Sequence, residues 1–182
     1  ETTQYNLSAY YQLEHYYDVN ERMRGTNYSR YDVNALRKDL GAMLNVNHQL
    51  TRANTLTAGL EFKQGTINGG DYYQTPRRVN DSTQVYDTIV NAGTLHTLAG
   101  YIQDEHALFE NKVWLVAGLR FDRVTFSDGE YSSTDPWNTI PELKDHTWSE
   151  LSPRVGIRFN PISQISAYIS YSHGLRSSIL DD

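Results

Sequence analysis

From residue 151 the chain reads LSPRVGIRFNPISQISAYISYS, and apolar and polar residues alternate along it. Leu151, Pro153, Val155, Ile157 and Phe159 share one parity; Ser152, Arg154, Gly156, Arg158 and Asn160 share the other. After Pro161-Ile162-Ser163 the alternation resumes, with Ile165, Ala167, Ile169 and Tyr171 against Ser166, Tyr168, Ser170 and Ser172. A period of two predicts strands with one apolar and one polar face. The same pattern recurs at Tyr5–Leu13, Leu40–Leu50, Leu56–Phe62 and, most cleanly, Val113–Phe121, and more weakly at Leu98–Ile102. Helical periodicity is nowhere sustained. The pattern therefore predicts an all-β fold of about seven antiparallel strands paired in sequence order.

The connections fall into two classes. Short ones lie near 51–53, 109–112 and 161–163, which suits hairpin turns at one end of the sheet. Long polar stretches at 18–32, 66–93 and 128–146 alternate with them and hold the Gly, Asn, Asp and Pro clusters, including Ser127-Asp128-Gly129-Glu130. Long structureless loops are uncommon in compact soluble domains but normal on the outer side of an outer-membrane barrel. The polar face is not a charged solvent surface. It reads Asn, Ser, Gln, Thr, Tyr and Arg, with glycines at 41, 59, 118 and 156. Face chemistry alone fits a sandwich core or a barrel wall; loop asymmetry and the length of the 113–126 strand favour the barrel. For the last hairpin, a turn at 160–164 places Phe159 opposite Ile165 and Gly156 opposite Tyr168. One hairpin earlier, avoidance of opposed like charges puts Asp122 opposite Arg154.

Composition sharpens this picture. In 182 residues, fourteen tyrosines and three tryptophans accompany only five phenylalanines. Such amphipathic rings belong where one end is apolar and the other wet. Mean hydropathy is −0.62, and no apolar run is long enough for a spanning helix. A net charge of −6 argues against a nucleic-acid partner. There is no cysteine and hence no disulfide framework. No signal peptide is visible, and the abrupt ends at Glu1 and Asp182 suggest a piece of something larger.

Candidate chemistry is sparse. The six histidines show no metal-ligand spacing, and no phosphate loop, nucleophile elbow or His-Glu-x-x-His occurs. No cofactor, metal or catalytic residue is expected, so the chain reads as a non-enzyme. On the polar face Glu61, Glu105 and Asp122 form wall salt bridges with Lys63, Arg120 and Arg154 more naturally than a paired catalytic acid and base. Ligand-binding candidates are the loop aromatics and cations Tyr72, Tyr73, Arg77, Arg78, Tyr131 and Trp137, a mixture suited to anionic or aromatic ligands.

Four segments carry a family resemblance. AGYIQDE (99–105), VAGLRFD (116–122), LSPRVG (151–156) and YISYSHGLR (168–176) occur in this order, separated as in the TonB-dependent outer-membrane receptors, which they resemble. Residues 1–98 are similar only in style. The resemblance implies that residues 1–182 are a segment of a 22-stranded transmembrane β-barrel, without its plug domain and remaining strands. It further implies that the apolar face meets outer-membrane lipid, while Glu61, Lys63, Arg120, Asp122, Arg154 and Arg158 line the lumen against the plug. The implied activity is energy-dependent uptake of an extracellular small molecule, a ferric siderophore being the commonest case. A periplasmic TonB-type transducer would act through regions beyond this chain, in the outer membrane of a Gram-negative bacterium. Two alternatives remain at this point: a soluble β-sandwich that binds glycans, and a passive porin-type channel.

Overall fold

The computed structural model describes residues 2–24, 27–80, 83–134, 136, 139–140, 142–162 and 164–174, with the side chains of 24–29 and 70–87 outside that description. Seven strands make up the fold: β1 Thr2–Arg24, β2 Asn27–Thr51, β3 Asn54–Asn80, β4 Thr83–Leu108, β5 Val113–Ser133, β6 His146–Ile162 and β7 Ile165–Ser172. They pair in sequence order as one antiparallel meander, a half-barrel. The short connections at 52–53, 109–112 and 163–164 all lie at one end, as the pattern predicts. In the 109–112 turn Phe109, Glu110 and Asn111 all adopt positive φ (52°, 56° and 69°). Neighbours pin this unfavourable backbone: Lys112 N–H donates to Phe109 O at 3.1 Å and Asn160 N–H to Lys112 O at 2.7 Å. The Trp114 indole N–H donates to Asn111 O at 3.1 Å.

The far end differs from expectation. The stretches 18–32 and 66–93 are not open loops: pairing continues to Arg24↔Asn27 and to Asn80↔Thr83. Ladder pairing persists there because Tyr28, Tyr31, Val33, Val85, Thr88, Ile89 and Val90 are good strand formers. The period of two is lost because no apolar band remains for one face to meet. Of the third stretch, residues 128–133 belong to β5 and His146 opens β6. Ser127-Asp128-Gly129-Glu130 is a bulge within β5, where Asp128 has φ 55° and the register with β4 shifts between Ala92 and Thr94.

Both register expectations are corrected. Phe159 lies opposite Ala167 and Gly156 opposite Ser170, because β6 runs on to Ile162, which pairs with Ile165. Pro161 has no N–H for the ladder and is absorbed in a register shift between Phe159 and Ile162. Arg154 lies opposite Gly118, whereas Asp122 faces Glu150. That like-charge opposition is relieved locally: Asp122 bonds Arg120 on its own strand, and Glu150 bonds the His173 ring at 3.0 Å.

The sheet has no core of its own. Among the described residues only Ala99, Ala107 and Val124 are buried apolar side chains, and no second sheet covers either face. Leu7, Leu60, Leu119, Ile157 and Ile169 are 47–76% exposed. A soluble sandwich would bury these side chains against another layer, so that alternative falls. The apolar band crosses the hydrogen-bonded rows obliquely. The row through Tyr11 and Leu40 becomes Gln64, His96, Thr125 and Thr147 on later strands. On β5–β7 the band is displaced toward the turns, through Val113, Phe159 and Ala167. A flat apolar belt requires strands tilted against it, which is the geometry of a membrane barrel.

Placing Lys at Leu60 or Leu119 should therefore cost about 2–4 kcal/mol near the bilayer midplane and less toward its edges. The heat-modifiable band of the full-length protein should fall for both variants and stay normal for Thr57→Lys on the opposite face. Normal assembly of Leu60→Lys and Leu119→Lys would remove lipid from that face.

Candidate functional site

Directly opposed residues share a face, so the ladder sets the whole polar wall once one residue is placed. Glu61, Ala99 and Asp122 form one row; Gly59, Tyr101, Arg120 and Ser152 form the next. Arg120 reaches across β4 to donate to Glu61 Oε2 at 2.7 Å, and its Nε donates to Asp122 Oδ1 at 2.9 Å. Lys63 pairs with Glu61 from the next row of β3. The small side chain of Ala99 lies beneath this bridge and is 2% exposed. A larger residue there would push the two strands' charges apart. Four of the anticipated wall residues, Glu61, Lys63, Arg120 and Asp122, thus form one network across three strands.

The other two wall residues stand elsewhere on the same face. The Arg158 guanidinium lies 4.9 Å from the ring centroid of Trp114, its cross-strand partner. Arg154 joins neither cluster: its stem covers Gly118, where a Cβ would stand 3.2 Å from Arg154 Cγ. The anticipated ion pair of Arg154 with Asp122 does not form, since Asp122 is held by Arg120.

Tyrosines over glycines also organise this wall, at positions the sequence reasoning did not single out. Tyr10 lies on Gly41 and Tyr101 on Gly59, each directly across the ladder. A Cβ at Gly41 would stand 2.7 Å from Tyr10 Cζ, and one at Gly59 would stand 2.5 Å from Tyr101 Cζ. The Tyr101 hydroxyl donates to Asn45 on β2, so one ring spans from β4 over β3 to β2. The signal was the set of inward glycines in long strands, since an aromatic opposite a strand glycine covers its bare backbone.

The ligand candidates are less concentrated. Tyr131 lies on β5 opposite Asn91 and is partly buried. Tyr72, Tyr73, Arg77 and Arg78 sit on the paired backbone of β3 rather than on an open loop, and their side chains lie outside the described residues. Trp137 also lies outside them. Sequence reasoning missed a rim cluster at the same end. His146 and Trp148 stack edge to face with centroids 4.5 Å apart, and Phe126 and Leu143 crowd the bulge glycine Gly129. The visible hint was inward parity of His146 and Trp148 on β6. Two histidines bond on the apolar face instead: His48 bonds Thr3 at 2.8 Å and His15 bonds Asn34 at 2.6 Å.

A half-barrel that is apolar outside, polar inside and held by inward ion pairs is a segment of a membrane β-barrel. The profile of the family described as TonB dependent receptor-like, beta-barrel matches residues 1–182, and the chain belongs to that family. Its fold is similar to that of the ferric yersiniabactin uptake receptor FyuA from Yersinia pestis, at 16% identity and TM-score 0.69, covering 92% of this chain and 25% of that one. The ferric citrate transporter FecA in its unliganded form aligns at 10% identity and TM-score 0.64, covering 92% and 24%. BauA, the ferric preacinetobactin receptor from Acinetobacter baumannii, aligns at 15% identity and TM-score 0.50, covering 92% and 26%. The chain thus spans about a quarter of the length of these solved structures. No curated protein sequence matches it. Family membership makes the chain part of the β-barrel of an outer-membrane protein of Gram-negative bacteria.

Two outcomes follow for the wall. Arg120→Met strips Glu61 and Asp122 of their shared cation and should destabilise the barrel by about 1–3 kcal/mol. In a urea titration of the folded band Glu61→Gln should cost less in the Arg120→Met background than in the wild type, and equal costs in the two backgrounds would mean no coupling. Gly59→Ala should cost about 1–3 kcal/mol by overpacking the Tyr101 ring. In a Tyr101→Ala background the same change should cost less than half as much, and a cost unchanged by Tyr101→Ala would contradict the close contact.

Proposed function

We propose that this chain is part of an energy-coupled importer that takes up a scarce nutrient across the outer membrane, with a ferric siderophore or similar chelate as its ligand class. The observation that carries the reading is the pairing of a whole-chain family match with an inward wall of fixed ion pairs. Fold-level likeness to receptors named for ferric yersiniabactin and ferric citrate supports the ligand class. In this reading residues 1–182 belong to a larger barrel whose remaining strands pair the free edges of β1 and β7. Glu61, Lys63, Arg120, Asp122, Arg154 and Arg158 face a plug domain inside it. A periplasmic TonB-type transducer drives plug rearrangement through regions outside this chain. Tyr72, Tyr73, Arg77, Arg78, Tyr131 and Trp137 supply stacking and cationic contacts to the ligand at the extracellular mouth.

The experiment replaces those six residues by Ala in the full-length receptor and follows radioactive-iron uptake from limiting ferric siderophore. Uptake should fall while the heat-modifiable band keeps its wild-type abundance, because paired backbone rather than these side chains builds the strands. Uptake at the wild-type rate would make the six residues packing only.

A further inference from the structure

Beside β6 and β7 the wall holds a shallow groove whose lining includes Arg120, Arg154 and Arg158 and no carboxylate. Two of these cations are engaged, Arg120 by Glu61 and Asp122, and Arg158 by the Trp114 ring. Arg154 has no carboxylate partner among the described residues. The residues around it are small: Gly118 and Ser172 lie directly opposite it on either side, and Ser152 and Gly156 flank it along β6. Its head therefore rises from a floor with no bulky side chain. Two residues away on the same face, the Ser152 hydroxyl is buried and has no hydrogen-bond partner, in a residue only 7% exposed. A buried hydroxyl without a partner is uncommon and calls for a physical account.

Both defects have one remedy. A guanidinium offers two parallel N–H donors matched to the two oxygens of a carboxylate, and a serine hydroxyl is a donor that rotates about one bond to reach an acceptor. We propose that this part of the inner wall is a carboxylate site, in which Arg154 grips the group bidentately and Ser152 donates to one of its oxygens. Of the two lining arginines without a carboxylate, Arg158 is stacked on the Trp114 ring and Arg154 is the one free to take the group. The missing side chain at Gly118 lets the Arg154 stem lie flat and gives the carboxylate room above it. Two sources carry this chemistry: an Asp or Glu of a segment enclosed by the barrel, or a carboxylate-bearing solute in the lumen. The inference rests on the lumen-wall reading of this face, which the assembly band of Leu119→Lys tests separately.

Zero-length coupling tests the site in the full-length receptor. Arg154→Lys keeps the charge and introduces an amine that a water-soluble carbodiimide joins to a carboxylate in contact with it. Mass spectrometry should find position 154 joined to an Asp or Glu outside residues 1–182 if the source is internal. It should find added radiolabelled acetate at position 154 if the source is a solute. Ser152→Ala should lower either yield about fivefold, the worth of one hydrogen bond. Coupling to Asp122 or Glu150 of the wall itself, or no product in a variant with a normal heat-modifiable band, would overturn the proposal. The wild-type receptor gives a reading that needs no substitution. Phenylglyoxal should modify Arg154 several times more slowly than the turn residue Arg52, either as purified or once sodium acetate is added. Equal rates that acetate does not change would overturn the proposal as well.

Discussion

In hydrocarbon an unpaired backbone amide or carbonyl costs several kcal/mol, since no water is present to bond it. Every feature of this half-barrel follows from meeting that constraint with strands. Seven of them pair neighbour to neighbour without a crossover, so each interior strand has both its edges satisfied. The strand pleat then divides the side chains without further choice: one parity to lipid, the other to the lumen. The outward set can remain exposed within this chain because its solvent is lipid rather than water.

That division explains why the sheet holds together without a core. With only three small apolar side chains buried among the described residues, the stability usually drawn from a packed interior is unavailable here. Cross-strand pairs on the inner wall take its place. Arg120 ties β5 to β3 over Ala99, and the Tyr101 ring ties β4 to β2 over Gly59. Each link skips a strand, and a small residue on the skipped strand makes room for it. Register is thereby coupled across three strands at a time, since a slip of one residue would carry every such pair to the wrong face.

The period of two was enough to find all seven strands, their order and the end at which the short turns gather, because inside the bilayer the two faces meet opposite environments. It failed where that contrast ends. Residues 18–24, 27–32, 66–80 and 83–93 carry no alternation and yet belong to strands: above the membrane both faces are wet, and only backbone pairing and β-propensity remain. The register of the last hairpin was misjudged because Pro161 was read as part of a turn rather than as a residue absorbed in a ladder irregularity. Of the charged residues, the face they share was legible from parity, but their partners were not. Whether Asp122 faces Arg154 or bonds Arg120 depends on a two-residue register that a long connection leaves open. The tyrosine covers went unplaced at Gly41 and Gly59 for the same reason: glycine and tyrosine lie far apart in sequence and meet only once the ladder is known.

The central claim is that one parity of these strands meets lipid and the other the lumen, along a belt oblique to the hydrogen-bonded rows. Spin labels placed singly at residues 113–122 and 151–159 of the full-length receptor in lipid bilayers measure it directly. Relaxation by oxygen, which concentrates in lipid, should be high at 115, 117, 119, 121, 151, 155 and 157 and low at 116, 118, 120, 152, 154 and 156. A water-soluble nickel chelate should show no access at the first set. Accessibilities without a period of two, or with the parities exchanged, would contradict the account.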